Sequence, residues 1–295
     1  MSNPAAARPH VVVVGDVGLD VVAKLSGPVV FGHDTRAGIT VAPGGAGGNT
    51  AAWLARHPVD VSLVARVGAD EAGRAATTEL VAAGVDCRFT VDPVLPTCCV
   101  VVLVGNDGDR TMFADRGANK AFCAQDVDLP SPAGRTHLHL SGYVLLDDAS
   151  RDAGLTALAA AKDRGWTTSV DPQAALHIRT TGAATFLAWV AGADLLLPND
   201  AELAVLGGPE AVLESVGAVV VTHGRQGASW YSADVRANVP APDVHETDST
   251  GAGDAFNAGL LAAWLAGGDE VAALTAGVQA GTAAAAAVGA RPTSG

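Results

Sequence analysis

Asp254 closes the run Asp248-Ser249-Thr250-Gly251-Ala252-Gly253-Asp254, directly before the apolar stretch that runs on to Leu265. Three small residues let backbone N–H groups approach a ligand closely. A helix beginning at about Ala252 adds its free N–H groups and the positive end of its dipole, which together make an anion site. A carboxylate beside such a site is badly placed for holding phosphate, because like charges repel. It is well placed to take a proton from a hydroxyl that attacks a phosphoryl group held by the surrounding donors. The alternative is structural: a Gly-Ala-Gly turn, followed by a first-turn aspartate that satisfies the helix dipole.

A second run, Pro43-Gly44-Gly45-Ala46-Gly47-Gly48-Asn49-Thr50-Ala51, has four glycines in five residues. Such a run suits a backbone wrapped round a small polar ligand, with Asn49 offering an acceptor and donors where a helix starts. A flexible glycine-rich hinge is the competing explanation.

Together these runs resemble the ribokinase-like (PfkB) family of carbohydrate and nucleoside kinases. Residues 44–49 look like its N-terminal Gly-Gly substrate motif, and residues 248–261 like its C-terminal G-A-G-D signature. Pro198-Asn199-Asp200-Ala201-Glu202 fits its N-x-x-E element, and Thr222-His223-Gly224-Arg225-Gln226-Gly227 its T-x-G-x-x-G nucleotide loop. Order and spacing agree over residues 10–293.

The resemblance implies roles residue by residue. Asp254 is the general base, and the helix N-terminus is expected to keep it ionised at neutral pH. Gly251, Ala252 and Gly253 give the anion hole its N–H groups. Asp20, with Asp16 as a weaker candidate, Gly44, Gly45, Asn49 and Asn119 bind the acceptor. A carboxylate such as Asp20 can accept from two sugar hydroxyls at once. Thr222, Gly224, Arg225 and Gly227 lie along ATP. Asn199 and Glu202 hold Mg²⁺ through waters, or simply cap the helix that follows them. Asp248, Thr250, Gly289 and Thr293 mark a K⁺ site. No glycine is followed by lysine, so a Walker-type phosphate lysine is excluded.

The implied function is an ATP-dependent sugar kinase acting on a small sugar, ribose-like or a hexose. A nucleoside kinase, to which Phe113 would contribute, ranks second. A sugar-acid or sugar-phosphate kinase ranks third, suggested by Arg110 and Arg116. A catalytically idle binding protein and a dinucleotide-dependent oxidoreductase are the readings outside this class. The second fails on spacing, since the glycine run begins some thirty residues after the first strand rather than directly behind it.

Composition agrees with this. A net charge of −13 with three lysines leaves no basic footprint for nucleic acid. Cys87, Cys98, Cys99 and Cys123 lack metal-site or disulfide spacing and fit reduced thiols in the cytoplasm. Residues 271–290 carry no charge, but their alanine, glycine and threonine content fits close helix packing better than a membrane span. Residues 1–9 read as a disordered tail rather than a secretory signal.

The elements that must position these side chains follow from periodicity. The near-continuous apolar run at residues 10–15, with similar runs at 61–67, 137–141, 167–170, 195–197 and 218–222, is that expected of strands buried on both faces. Helical patterns at 48–55, 73–83, 149–163 and 201–206 separate them. The expected fold is a Rossmann-like, doubly wound, mostly parallel α/β sheet flanked by helices, with ligands at the carboxyl ends of its strands. Segments of about 21–41 and 88–116 break the rhythm with β-branched residues and turn signals such as Asn106-Asp107-Gly108. The resemblance makes them a small β-sheet lid and the contact of a homodimer.

Overall fold

The computed structural model describes residues 8–105 and 110–292. Its strands are β1 (His10–Val14), β2 (Gly18–Leu25), β3 (Ala37–Gly44), β4 (Asp60–Gly68), β5 (Asp86–Asp92), β6 (Cys98–Val104), β7 (Arg110–Asp115), β8 (Thr136–Ser141), β9 (Thr167–Asp171), β10 (Leu195–Leu196), β11 (Ala218–Thr222), β12 (Ala228–Ser232) and β13 (Arg236–Val239). Nine form a sheet in the order β13-β12-β11-β10-β9-β8-β1-β4-β5, parallel up to β11 and antiparallel at the β11-β12-β13 edge. Alternate residues feed two cores, one on each face. Val11 and Val13 pack with Leu63, Leu260 and Leu274, while Val12 and Val14 pack with Leu138, Leu140 and Leu196. This two-sided burial is why β1 reads as four consecutive valines.

The chain leaves β1 for β4 and β5 on one side and returns to β8 and β9 on the other. The reversal opens a crevice at the carboxyl ends of these strands, the usual place for a ligand in such sheets.

β2, β3, β6 and β7 form a separate four-stranded sheet in the order β3-β2-β6-β7 that walls the crevice. Its first part runs from Gly18 to Gly44, and its second begins only at Cys98. Residues 88–92, expected in the lid, instead continue β5, whose register with β4 runs from Ser62↔Asp86 to Gly68↔Asp92. The parallel ladder satisfies their backbone groups, so they stay with the large sheet. The turn signal at 106–108 lies outside the described residues.

The uncharged C-terminal stretch forms the helix Glu270–Ala285, packed on the helix Ala252–Leu265. A Cβ on Gly259 would lie 2.7 Å from the Ala276 carbonyl oxygen, and one on Gly277 2.9 Å from the Phe256 ring. The small residues therefore serve close approach of the two helices. No described helix is long and apolar enough to cross a membrane.

Candidate active site

The helix Ala252–Leu265 starts in the crevice behind Gly251, which holds a left-handed conformation (φ 75°). A Cβ there would collide with the Ala290 carbonyl oxygen, so both the backbone angle and the space require glycine. The Ala252 N–H bonds the Ser249 carbonyl at 3.2 Å, and the Ala255 N–H bonds the Gly251 carbonyl at 2.9 Å. Among the described residues the N–H groups of Gly251, Gly253 and Asp254 have no acceptor. The donors left for an anion are thus these three. Ala252, expected among them, is already engaged by the turn.

Asp254 is held by the helix Ala46–Leu54, which begins inside the glycine run. Asn49 Nδ2 donates to its Oδ2 at 3.0 Å and Thr50 Oγ1 to its Oδ1 at 3.2 Å. Burial nonetheless pushes the Asp254 carboxyl up to about 7, against both hydrogen bonds and the charge of Arg291. This corrects the expectation that the helix N-terminus keeps it fully ionised at neutral pH. Desolvation outweighs the dipole, and the group is poised between its two states.

Asp20, on β2, faces the same cleft. It makes no hydrogen bond or ion pair among the described residues, and burial raises its carboxyl to about 6. Gly44 lies against it so closely that a Cβ would strike the Asp20 carboxylate. Gly45 (φ 87°) turns the chain where a Cβ would come within 2.6 Å of the Asp16 carbonyl oxygen.

The remaining acceptor candidates are placed differently. Asp16 is buried and paired with both terminal nitrogens of Arg116, at 3.0 and 3.1 Å. Its oxygens are occupied by that fork, and Arg116 is further paired with Asp147 at 3.2 Å. Asn119 is buried away from the cleft wall, donating to the Val17 carbonyl at 3.2 Å, where it ties the segment after β7 to the chain entering β2. Phe113 pairs with Val101 on the face of the small sheet opposite Asp20, Val22 and Lys24, so it points away from the cleft.

Two cavities meet at the helix start. The larger, about 1280 Å³, is walled by the small sheet and includes Asp20, Gly45, Asn49, Gly251 and Asp254. The smaller, about 440 Å³, contains Thr222, Gly224, Arg225, Gly227, Ala252 and Gly253. Arg225 stands at its rim with its Nε 3.1 Å from Glu246 Oε2. The carboxylate of Asp254 thus faces one cavity and the first turn of its own helix borders the other.

Residues 8–294 match the pfkB family of carbohydrate kinases. The chain belongs to this family. It is 34% identical over 233 residues to the ATP-dependent ribose-1-phosphate kinase of Halopiger xanaduensis, covering 77% of this chain and 74% of that one. Among solved structures it resembles a candidate ribokinase II from E. coli in complex with ATP and Mg²⁺ (TM-score 0.84, 29% identity, 95% of this chain and 94% of that one). It also resembles the fructokinase of Vibrio cholerae O395 in its fructose-, ADP- and calcium-bound form (TM-score 0.80, 28% identity, 95% and 94%). The protein is a carbohydrate kinase, an ATP-dependent phosphotransferase with a hydroxyl acceptor.

In this kinase Asn199 and Glu202 form a reciprocal helix cap. Asn199 Oδ1 accepts from the Glu202 N–H at 2.9 Å, and Glu202 accepts from the Asn199 N–H at 2.9 Å and from its Nδ2 at 2.8 Å. Glu202 is buried, and its carboxyl is raised by desolvation. Asp171, at the carboxyl end of β9, is raised well above the usual range by burial and then by the charges of Glu202 and Asp254. It accepts from Asn257 Nδ2 at 2.7 Å and from the Gln173 N–H at 3.1 Å. Two buried carboxylates that repel each other fit a divalent cation, which would relieve both. Among the described residues no three His, Cys, Asp or Glu side chains form a metal cage.

Asp248 is fully engaged. Its Oδ1 accepts from the Thr250 N–H (3.0 Å), Thr250 Oγ1 (2.6 Å) and Arg110 Nη2 (2.7 Å), and its Oδ2 from the Gly289 N–H (3.1 Å). Arg110 also reaches Thr250 Oγ1 at 2.6 Å, bridging the small sheet to this loop. Thr293 lies outside the described residues.

Sequence reasoning missed Asp171 and Arg291. Asp171 ends the buried strand β9 and precedes a proline, and an acidic residue at the carboxyl end of a parallel strand was the available signal. Arg291 carried no signal, because its partners are some 240 residues away in the chain.

Proposed function

We propose that the kinase transfers the γ-phosphoryl group of ATP to a hydroxyl of a small sugar, ribose-like or a hexose, bound between Asp20 and Asp254. The observation that carries this is the pair of carboxylates on the wall of the larger cavity, one of them beside unbonded N–H groups at the edge of the smaller. Asp20, with no protein partner, is free to accept from two sugar hydroxyls. Asp254 takes the proton of the reacting hydroxyl as its oxygen bonds the γ-phosphorus. The bond to the β–γ bridging oxygen breaks, and ADP leaves from the smaller cavity. The N–H groups of Gly251, Gly253 and Asp254 receive the charge spread over the transferring phosphoryl.

Thr222, Gly224, Gly227 and Arg225 are the proposed nucleotide contacts, and Gly44, Gly45 and Asn49 complete the sugar site. The Asn199–Glu202 cap, with Asp171, would hold Mg²⁺ through waters beside the phosphates. That ion supplies charge neutralisation to the leaving ADP. K⁺ is proposed at the carbonyls near Asp248, Thr250 and Gly289.

A second reading is favoured by one observation. Lys24 and His177 line the larger cavity without a partner among the described residues, whereas Arg110 and Arg116 are paired. A free lysine with an unpaired imidazole in the same cavity suits a sugar that already carries phosphate, which agrees with the named activity of the Halopiger relative. A nucleoside is less well supported, since Tyr143 is the one Phe, Tyr or Trp on the described wall of this cavity.

Four unpaired thiols support the cytoplasm as its location. The outer face of the small sheet carries the cross-strand row Val41-Val21-Val101-Phe113, with Val41 63% and Phe113 57% exposed. It supports a homodimer through this sheet.

The test is ADP release with Mg²⁺-ATP across pentoses, hexoses, sugar phosphates and nucleosides, with Asp254→Asn as the control. Turnover of a simple sugar, abolished in the variant, is the expected result. Turnover of sugar phosphates alone selects the second reading. Turnover of nucleosides alone, or of none of the panel, overturns both.

A further inference from the structure

Arg291 stands near the far end of the chain, yet its side chain is only 4% exposed. Its guanidinium holds three separate parts of the molecule. Nε donates to Asn49 Oδ1 at 3.1 Å, Nη2 to the Gly44 carbonyl oxygen at 2.8 Å, and Nη1 to Glu79 Oε2 at 3.1 Å. Burying an arginine against a single, partly exposed carboxylate is costly as a device for stability alone. What it touches suggests a different reason. A Cβ on Gly48 would collide with its Nη2, so the glycine run leaves room for this side chain as well as for a ligand.

The Asn49 amide has two ends, and each has one partner. Its oxygen accepts from Arg291, and its nitrogen donates to Asp254 Oδ2 at 3.0 Å. Rotated by half a turn, the amide would set its NH₂ against the guanidinium and its oxygen against the carboxylate, two repulsive contacts in place of two hydrogen bonds. Arg291 thereby fixes which end faces Asp254. Its grip on the Gly44 carbonyl also holds the end of β3 that backs the Asp20 carboxylate.

We propose that Arg291 is a positioning residue for phosphoryl transfer, acting through the Asn49 amide to aim Asp254 at the acceptor hydroxyl. The proposal rests on the kinase reading above. It is tested by steady-state kinetics on Arg291→Gln, Asn49→Ala and the double variant, with melting temperatures measured alongside. Loss of aim of the order of an ångström lowers turnover steeply, so Arg291→Gln is expected to reduce kcat about 10- to 100-fold with the KM for ATP little changed. Because the effect passes through Asn49, adding Arg291→Gln to Asn49→Ala should cost no more than about threefold further. Arg291→Lys keeps the charge but not the three-point fork, and should recover only part of kcat.

Unchanged kcat in a folded Arg291→Gln variant overturns the proposal, as do losses that multiply in the double variant. Should Arg291→Gln fail to fold, Glu79→Gln loosens the same guanidinium from its exposed side. The proposal then requires a fall in kcat that disappears in the Asn49→Ala background, and an unchanged kcat overturns it. Turnover by the unmutated protein reports on the kinase reading itself, so failure of that reading appears there and failure of this proposal only in the variants.

Discussion

Asp254→Asn removes a charge from a place where burial opposes it, so activity and stability should move in opposite directions, the second only above a certain pH. In the unfolded chain this carboxyl titrates near 3.8, and in the folded protein it is raised to about 7. A raised carboxyl leaves folding unaffected at low pH and disfavours it as pH rises. Below the unfolded value both states are protonated and there is no difference. Between the two values the unfolded chain gives up its proton while the folded protein keeps it, and the penalty grows until the folded group ionises. One pH unit corresponds to about 1.4 kcal/mol, so between pH 5 and pH 8 the wild type should lose about 2 to 3 kcal/mol that the asparagine variant keeps.

The variant also strands one of the two donors, Asn49 Nδ2 or Thr50 Oγ1. That loss of about 1 to 2 kcal/mol is the same at both pH values and drops out of the comparison. Asp171 and Asp20, which feel the same charge, shift in the same direction and add to the effect. The readout is therefore the difference in melting temperature between variant and wild type, taken at pH 5 and again at pH 8. It should be more favourable to the variant at pH 8 by roughly 5 °C for a chain of this size. In parallel, removing a general base should lower kcat by about 10²- to 10⁴-fold, and wild-type kcat should fall about tenfold per unit below pH 7. A kcat within tenfold of wild type would refute the assignment of the base. An equal melting-temperature difference at both pH values would refute the argument that burial sets its protonation.

Three further outcomes are expected. Gly44→Ala places a methyl group against the Asp20 carboxylate and should raise the KM for the sugar by about tenfold, corresponding to about 1.4 kcal/mol of binding, with the KM for ATP unchanged; equal changes in both would count against Asp20 as a sugar ligand. Glu202→Gln relieves the repulsion on Asp171, so without ligands the variant should melt higher than wild type at pH 8, while the Mg²⁺ concentration for half-maximal rate should rise severalfold; an unaltered Mg²⁺ titration would remove Glu202 from the metal site. Because main-chain carbonyls can hold K⁺ even though Asp248 is engaged, the rate should be higher in K⁺ than in Na⁺ or tetramethylammonium; equal rates in all three would dismiss the cation.

Local signals made much of the fold and site legible. Runs of valine and leucine longer than one face of a sheet can absorb point to strands buried on both sides, and β1 and β11 follow them closely. The helix start at Ala252 was written in Gly251-Ala252-Gly253, since the turn needs a left-handed glycine. The Asn199–Glu202 spacing likewise encoded a cap that forms between neighbours in the chain. What depended on partners far away in sequence was not legible. Residues 88–92 carry the β-branched pattern of a lid strand, and only β4 beside them decides that they extend the large sheet. Asp16 and Asp20 both flank the start of β2, yet Arg116, a hundred residues on, takes the first and leaves the second free.

The charge state of the base shows the same division. The sequence determined that an aspartate would sit in the first turn of a helix behind a glycine loop, where the dipole favours its anion. Tertiary structure decided how much water would reach it. Packing the helix Ala46–Leu54 against that turn, with Arg291 brought in from the chain's far end, buries the carboxyl and raises it to about 7. A local dipole is set by neighbours in the chain, whereas desolvation is a sum over everything that surrounds the group in space.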